Sequence, residues 1–410
     1  MDVTPGLRRD PAPDLEAVGQ DGALVARIRA EIADHGPMPF ARFMDLALYD
    51  PDGGYYRAEA ARPGRGGDFL TAPEAHPIFG AALERAVVDA WDRLDRPDPF
   101  VLREHGAGTG TLALAILDGL AREHPDLAAV LRYEPVEIEP RRLEAITTRF
   151  TAAGRAAALE RSDADPAGSP ITGFVLANEV LDALPTHRVA MRNGRLREVA
   201  VGWRDDAFVD IEIEPSTSAL AERLDAEGVT LLDGQRAEIC LALDAWIADA
   251  ARPLARGVLL LIDYGYPAAE LYDPVRRRDG TLRAYLRHRV HDDPYRHVGR
   301  QDLTAHVDVT AVERAAIAAG LDHLGTTTQA EFLVGLGTDG LLRAIQADPA
   351  TTIEDYLAVR SALMRLLDPS AMGRFRVMVF GRGWPDGPPL AGLGYRLGLD
   401  HTAPHRTPPQ

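Results

Sequence analysis

Three glycines at alternate positions follow an acidic residue and provide the backbone for a nucleotide site. Glu104 precedes Gly106, Gly108 and Gly110, after a short apolar run and before a helical pattern of apolar residues. Strand, glycine-rich turn and helix in this order build the nucleotide sites of open α/β sheets, because N–H groups at the helix start can face a ligand. The dinucleotide fingerprint requires its third glycine at position 111, where this chain has threonine. The turn therefore indicates a nucleotide-like ligand and disfavours NAD.

Seven short segments occur in a characteristic order along the chain. They are GGYY at 53–56, GDFLTAPE at 67–74, EHGAGTG at 104–110, NEVLDALP at 178–185, IDYGY at 262–266, TLRAY at 281–285 and DLTAHVD at 302–308. Together they resemble the MidA family of class I methyltransferases, which use S-adenosylmethionine (AdoMet). The resemblance implies a Rossmann-like, mostly parallel α/β sheet with AdoMet as the cofactor. Mitochondrial members of the family are arginine methyltransferases needed for assembly of respiratory complex I, so an arginine of a protein is the implied acceptor.

Acids near the ends of the first strands are candidates for holding the cofactor. Glu137 follows the second predicted strand, where a carboxylate takes the ribose hydroxyls in dinucleotide sites. We prefer it to Glu139, because Glu139-Pro-Arg is typical of a helix start. Glu104 is expected to accept a hydrogen bond from the AdoMet ammonium. Alternatively, it is a buried acid whose hydrogen bonds come from backbone N–H groups, and both can be true. Asp163 is either a contact to the adenine amino group or a solvated loop acid.

Asn178 and Glu179 follow the fourth predicted strand, which in the resembled family points at the methyl group. An arginine acceptor arrives as a cation, so carboxylates must hold the guanidinium and take up a proton. Glu179 and Asp182 lie three positions apart, on one face if the segment is a helical turn. We therefore assign these two acids to catalysis and Asn178 to the cofactor. The alternative is that Asn178 caps a helix whose first turn carries both acids.

Further candidates come from the segments on either side of the glycine turn. Thr71 and Glu74 are expected to close the AdoMet pocket from the N-terminal side, unless they belong to a packed turn. His306 is expected to orient the guanidinium or relay its proton from a lid. His306-Val-Asp308 also fits the start of an iron-binding triad, but neither a jelly-roll pattern nor a third ligand accompanies it, so no metal site is predicted.

The alternation of strands and helices beyond residue 99 predicts a mostly parallel sheet with one antiparallel edge and helices on both faces. The run from Val258 to Ile262 indicates its plainest buried strand, and Asn193-Gly194 indicates a hairpin. The predicted organisation is a mobile N-terminal arm (1–20), a helical region closing the cofactor site (21–95), a methyltransferase core (96–385) with a hairpin insertion (187–230) and a lid insertion (266–310), and a disordered tail (386–410).

Composition excludes several classes of function. The net charge of −17 disfavours nucleic-acid binding, which needs a basic surface. The chain contains no lysine, which excludes a Walker phosphate loop and a pyridoxal-phosphate Schiff base, and Cys240 is the only cysteine, which excludes a disulfide. No apolar run reaches the roughly 18 residues of a membrane span, and no basic or apolar leader is evident. A cytoplasmic location is the resulting expectation.

The sequence therefore predicts an AdoMet-dependent methyltransferase that acts on arginine side chains of a protein acceptor. A small-molecule methyltransferase, an NAD-dependent dehydrogenase and a non-catalytic assembly factor of the same fold are the alternatives. A homodimer is compatible with the sequence, and neither nucleic acid nor a membrane is an expected partner.

Overall fold

Strands and helices alternate through most of the chain. The computed structural model describes residues 18–57, 72–160, 170–287 and 289–396, without the side chains of Glu74 and Ala75. Its helices are α1 (Gly22–His35), α2 (Phe40–Tyr49), α3 (Ala72–Ala75), α4 (Ile78–Arg93), α5 (Thr111–Glu123), α6 (Pro125–Val130), α7 (Pro140–Ala152), α8 (Ala219–Ala226), α9 (Leu243–Ala251), α10 (Ala268–Leu271), α11 (Val309–Ala318), α12 (Gln329–Gly335), α13 (Thr338–Ala347) and α14 (Ile353–Leu367). Its strands are β1 (Phe100–His105), β2 (Leu131–Val136), β3 (Ile171–Asn178), β4 (His187–Arg192), β5 (Arg195–Arg204), β6 (Ala207–Ile213), β7 (Arg236–Ile239), β8 (Leu254–Asp263), β9 (Gly265–Tyr266), β10 (Arg283–Leu286), β11 (Arg289–His291), β12 (Asp302–Thr304), β13 (Val307–Asp308), β14 (Asp322–Thr328) and β15 (Arg376–Arg382).

A six-stranded sheet in the order β14-β15-β8-β3-β1-β2 forms the centre of the molecule. Strands β2, β1, β3 and β8 are parallel, and β15 runs antiparallel to both β8 and β14. The predicted mostly parallel α/β sheet is confirmed. The antiparallel strand is not at the edge, however, because β14 pairs outside it. The mostly polar sequence of β14, in which only one of seven residues is buried, carries no strand pattern.

Both faces of the central sheet are covered by helices. Successive residues of β8 point to opposite faces, so Leu260 joins the core under α4, α5 and α12–α14, while Leu259 joins the core under α9 and α11. This double burial explains the uninterrupted apolar run from Val258 to Ile262. The parallel strands bring their carboxyl ends to one edge of the sheet, where ligands bind in folds of this kind.

The N-terminal helices α1 and α2 pack away from the central sheet. Their apolar side chains, such as Leu24 and Phe43, form a separate core with Val201 of β5 and with Leu303 of β12. Helix α4, in contrast, belongs to the core of the central sheet. The region predicted as one unit at 21–95 thus contributes to two cores, with α1 and α2 in one and α3 and α4 in the other.

Small antiparallel sheets occupy both predicted insertions. Strands β4 and β5 pair across Asn193-Gly194, and β6 and β7 extend them to a four-stranded sheet in the order β6-β5-β4-β7. In the second insertion β10 pairs with β11 and β12. Asp308, weighed above as a metal ligand, is the N-cap of α11, and its carboxylate accepts from the N–H of Ala311 at 3.1 Å.

The end of the described chain is ordered. Leu390 and Leu393 are buried in the core beside Phe332, and Arg93 donates to the carbonyl of Pro389 at 3.1 Å. The prediction of a disordered tail is therefore wrong for residues 386–396, because a few apolar side chains fix a segment whose glycine and proline content suggested disorder. None of the described helices is long and apolar enough to cross a bilayer.

Candidate active site

The glycine turn connects β1 to α5 in the conformation that the sequence suggests. Gly106, Gly108 and Gly110 have φ values of +67°, +56° and +72°, in the left-handed region that favours glycine. The N–H of Gly106 donates to the carbonyl of Val136 at 2.9 Å, which ties the turn to β2. A Cβ on Gly106 would lie 2.6 Å from a methyl group of Val180, so only glycine fits at this position without a shift of its neighbour.

A cavity of about 410 Å³ lies at the carboxyl ends of β1, β2 and β3, within the size range of small-molecule sites. The glycine turn lines it together with Glu104. The remaining walls come from the N-terminal region, from the end of β2 and from the segment after β3. Further lining residues are Tyr49, Tyr55, Tyr56, Pro73, Glu137, Ile138, Arg142 on α7, Asn178, Glu179 and Trp246 on α9.

Glu104 is a buried acid with a side-chain partner. The hydroxyl of Tyr133 donates to its Oε2 at 2.6 Å. Burial raises the pKa of Glu104 to about 8, although the tyrosine hydrogen bond acts in the opposite direction. The acid is thus satisfied by a hydroxyl on the neighbouring strand rather than by backbone N–H groups, and it also lines the cavity.

Glu137 lies at the end of β2 and reaches back to the glycine turn. Its Oε1 accepts from the N–H of Gly108 at 2.7 Å, and its Oε2 accepts from the N–H of Ile138 at 3.2 Å. Arg142 lies 3.8 Å from Oε1. Burial raises the pKa of Glu137, while Arg142 lowers it. Its neighbour Glu139 instead caps α7 and accepts from the N–H of Arg141 at 3.2 Å, as expected for a helix start.

Glu179 lies in a strained position beside the cavity. Its φ of +53° is uncommon for a residue with a side chain and is a feature of functional sites. The N–H of Ala72 donates to its Oε1 at 3.1 Å, and the amide of Asn178 donates to the same oxygen at 3.0 Å. Burial raises the pKa of Glu179 to about 7. The amide oxygen of Asn178 is buried and has no partner among the described residues.

Asp263, at the end of β8, holds the turn that carries Glu179. Its Oδ2 accepts from the N–H groups of Val180, Leu181 and Asp182 at 3.1, 2.8 and 3.3 Å, respectively. Burial raises the pKa of Asp263 well above its ordinary value, and the charges of Asp182 and Glu179 add to the effect. Sequence reasoning did not assign this residue a role. Its position at the end of the plainest strand was the available signal.

Asp182 does not share a face with Glu179. The segment after β3 is an irregular turn with a short 3-10 helix at Leu181–Ala183, so three positions do not make one helical face. Asp182 accepts from the hydroxyl of Tyr264 and lines a small cavity of about 20 Å³ behind the main one. Burial raises the pKa of Asp182 to about 6. Its expected direct contact with the acceptor is not supported.

His306 lines the same small cavity and not the main one. Its ring lies edge-to-face against Tyr264, with ring centroids 5.4 Å apart. Burial, with Arg277 as the largest charge effect, lowers the pKa of His306 to about 4, so the ring is neutral at physiological pH. The expectation that His306 contacts the guanidinium is therefore not supported either.

Tyrosines link the N-terminal region to the lid insertion and to the turn after β3, beside the cavity. The hydroxyl of Tyr56 donates to Oδ1 of Asp302 on β12 at 2.8 Å, and the hydroxyl of Tyr49 donates to the carbonyl of Ala183 at 2.9 Å. The two rings stack with centroids 5.5 Å apart. Pro73 completes this wall. Thr71 and the side chain of Glu74 lie outside the described residues, as does Asp163.

Comparison with known proteins decides the family. Residues 82–327 match the family model of S-adenosyl-L-methionine-dependent methyltransferases. The chain belongs to this family. The predicted methyltransferase and its AdoMet cofactor are confirmed, and the dehydrogenase alternative is excluded.

Relatives of this methyltransferase match it over most of its length. The protein arginine methyltransferase NDUFAF7 homolog, mitochondrial, of Drosophila melanogaster is 30% identical over 90% of this chain and 87% of its own. The mitochondrial protein arginine methyltransferase NDUFAF7 of Homo sapiens is 28% identical over 78% of this chain and 75% of its own. A crystal structure from Burkholderia thailandensis, bound to S-adenosyl-homocysteine, has 37% identity and a TM-score of 0.82 over 93% of this chain and 97% of its own.

The names of these relatives correct one expectation about the methyltransferase. The curated relatives are named as mitochondrial proteins in the fruit fly, in Xenopus tropicalis and in humans. The expected cytoplasmic location, which rested on the absence of a recognisable leader, is therefore contradicted.

Proposed function

We propose that this methyltransferase transfers the methyl group of AdoMet to the guanidinium of an arginine in a protein acceptor. The observation that carries the proposal is the half-buried carboxylate of Glu179 on the cavity wall, with Asp182 and Asp263 buried in and behind the same turn. Burial raises the pKa of each of these acids, so their charged forms require a cation. An arginine side chain is that cation at any physiological pH. The names of the curated relatives support the same acceptor.

The cavity residues fit AdoMet. A Cβ on Gly108 would meet nothing nearer than the carbonyl oxygen of Gly106 at 3.9 Å. The absence of a side chain here therefore leaves open space beside the backbone in which the cofactor can lie. We assign the AdoMet ammonium to Glu104 and the ribose hydroxyls to Glu137. The amide oxygen of Asn178, which has no partner among the described residues, accepts from the cofactor's ammonium in this arrangement. When bound, AdoMet supplies an electrophilic methyl group on a sulfonium.

Glu179 is the residue that we assign to the acceptor. Both of its recorded donors go to Oε1, and none of the described residues donates to Oε2. Oε2 is therefore available to accept from the guanidinium and orient its nitrogen in line with the methyl group. Methylation leaves the guanidinium with its positive charge and releases one proton, which the Glu179 carboxylate takes up. Asp263 is a positioning residue here, because it fixes the backbone of the turn without lining the cavity.

The acceptor is tested with matched peptides. Wild-type protein is incubated with AdoMet and synthetic peptides that contain a single arginine, or a single lysine at the same place, and products are identified by mass spectrometry. Arginine peptides gain a methyl group and lysine peptides do not. Glu179→Gln abolishes the gain, whereas Glu222→Gln, an exposed position on α8, retains it. Methylation of a small molecule in place of any peptide would overturn the proposal.

A homodimer is the assembly that we propose beside the protein acceptor. Helix α14 exposes three large apolar side chains on the solvent side, Ile353, Leu357 and Met364, of which Ile353 is 80% exposed. Such an apolar stripe is costly in water unless a second surface covers it. Light scattering of the wild type and of Leu357→Glu tests the assembly. Two copies are expected for the wild type and one for the variant, and a monomeric wild type would rule the dimer out.

A further inference from the structure

A buried glutamate on α4 has one carboxylate oxygen that accepts no hydrogen bond from the described residues and lies 4.0 Å from the His124 ring. Glu84 lies on the face of α4 that packs against α5 and is only 3% exposed. Its Oε1 is buried and has no hydrogen-bond partner among the described residues. Burial raises the pKa of Glu84 to about 7, with the charge of Glu123 adding to the effect. A buried carboxylate is normally paired or bound to a metal ion, because an unpaired charge in the interior is costly.

Two further ligand groups lie beside this carboxylate at the end of α5. Glu123 is the last residue of α5 and His124 is its C-cap. One ligand atom from each of Glu84, Glu123 and His124 lies within 4.8 Å of the others, and Nε2 of His124 lies 4.0 Å from Oε1 of Glu84. The carboxyl end of a helix also favours positive charge, because its last carbonyl groups point outward.

We propose that Glu84, Glu123 and His124 bind a divalent transition-metal ion of the Zn²⁺ type between α4 and α5. Two carboxylates and one imidazole form a ligand set that Zn²⁺ accepts and Mg²⁺ does not prefer. Oε1 of Glu84, which accepts no hydrogen bond from the part of the chain that the structure describes, is the group that fixes the inner end of the site. The ion neutralises the buried carboxylate and joins two helices that otherwise contact each other through apolar side chains.

The neighbouring cations do not replace the metal ion. Arg85 commits its guanidinium to the carbonyls of Leu336 and Gly337 at 2.6 and 2.7 Å. Arg122 pairs with Glu123 at 3.0 Å, but both side chains are exposed, and pairs of this kind contribute little. Arg122 is therefore displaced at small cost when Glu123 turns toward the ion.

The site is structural in this account and lies outside the cofactor cavity. Helix α5 begins at Thr111, which lines the cavity, and ends at Glu123, so the ion binds at the far end of the helix that starts at the glycine turn. AdoMet binding therefore serves as an independent check that each variant is folded.

The experiment is a calorimetric titration of the full chain, stripped with a chelator, with zinc chloride. One binding event per chain is expected, and magnesium chloride gives none. Glu84→Gln and His124→Ala weaken zinc binding by about tenfold or more, at least as much as losing a residue that only supports a ligand. His323→Ala is the matched control, because it removes a different histidine that lies 3.5 Å from an acid, Glu313.

Two results would overturn the proposal. One is the absence of a stoichiometric event in the wild type. The other is equal zinc binding by the wild type, Glu84→Gln and His124→Ala, which would mean scattered binding to surface histidines. If Glu84→Gln does not bind AdoMet and has lost its circular dichroism signal, His124→Ala alone decides, because its partly exposed side chain can be removed without disturbing the core.

Discussion

The carboxylate of Glu137 at the end of β2 accepts a 2.7 Å hydrogen bond from the backbone N–H of Gly108 in the turn after β1. The acid expected to hold the ribose of the cofactor therefore also fixes the glycine turn that faces the same ligand. Two neighbouring strands contribute to one site through this bond, and the geometry of the turn depends on a side chain 29 positions further along the chain.

Two substitutions of Glu137 separate its contact with the ribose from its hydrogen bond to the glycine turn. Glu137→Gln keeps an oxygen that can accept from Gly108 but loses the charge, so we expect AdoMet affinity to fall by about tenfold, since hydrogen bonds to charged groups are the stronger ones. Glu137→Ala also loses the bond to the turn and should bind more weakly still. Calorimetry measures both, with the exposed Glu144→Gln as control. Equal affinity for Glu137→Ala and wild type would contradict the assignment.

Gly108→Val tests the cradle of the cofactor site. The substitution places a branched side chain in the cavity at a φ of +56°, so AdoMet binding should be lost while the fold persists. Gly194→Val is the matched control, because Gly194 has a φ of +72° and open space around it in the remote β4–β5 hairpin. It should suffer similar backbone strain and keep its AdoMet affinity. Loss of affinity in both variants would show that backbone strain, and not the cavity, is responsible.

The bond between Tyr56 and Asp302 should contribute measurably to stability. Tyr56→Phe removes a donor from a buried carboxylate and is expected to lower the free energy of unfolding by about 1 to 3 kcal/mol. Tyr49→Phe removes a hydrogen bond to a neutral carbonyl and should cost about half as much. Denaturant unfolding of both variants at one pH gives the comparison. A Tyr56→Phe variant as stable as the wild type would show that this bond does not hold the insertion against the N-terminal region.

Glu104 predicts a pH dependence of stability. Its pKa is raised from the ordinary 4.5 to about 8 in the folded protein, mainly by burial. The associated stability is fully present below pH 4.5 and is lost as the pH rises toward 8. Relative to Glu104→Gln, the wild type should therefore lose stability across this window, by at most about 1.4 kcal/mol per pH unit. Unfolding free energies of both proteins at several pH values test this. A difference that stays constant or grows with pH would contradict it.

Binding of AdoMet should report on the same group. The positively charged ammonium that we place beside Glu104 favours the ionised form of this acid. Glu104 is protonated below pH 8 in the free protein, so AdoMet binding at such a pH should release its proton. Titrations in buffers of different ionisation enthalpy measure that release. It should be present in the wild type and absent in Glu104→Gln. Equal proton release by both proteins would place the ammonium elsewhere.

Sequence patterns predicted the strands and turns whose residue types depend on local backbone conformation and burial. The run from Val258 to Ile262 is apolar throughout because it is buried on both faces. The glycines at 106, 108 and 110 have positive φ values that favour glycine. Both patterns can therefore be recognised in the sequence without knowledge of the rest of the fold. Strand β14 was missed because its mostly polar, half-buried residues pair only with β15 and have no apolar alternation. Order at Leu390 was missed because its partners on α12 lie far away in sequence.

In the candidate site too, local patterns predicted some residues, whereas others depend on contacts that are distant in sequence. Glu104, Gly106, Gly108, Glu137, Asn178 and Glu179 lie around one cavity because each lies at the carboxyl end of a parallel strand or in the segment directly after it. Gly110, the third glycine of the turn, is not among the lining residues. Asp182 was misplaced because three-residue spacing was interpreted as helical, whereas Asp263 holds the segment in an irregular turn. The position of Asp263 at the end of β8 marks it as a candidate, but its hydrogen bonds to this turn could not be predicted locally, since its partners lie about 80 positions earlier.

Methyl transfer by wild type and Glu179→Gln tests the central claim most directly. Each protein is incubated with AdoMet labelled in its methyl group and with an arginine-containing acceptor, AdoMet binding is measured in parallel, and the labelled amino acids are identified after hydrolysis. We expect label in methylarginine with the wild type, and no label with Glu179→Gln despite unchanged AdoMet binding. Label in another amino acid, or equal labelling by both proteins, would contradict it.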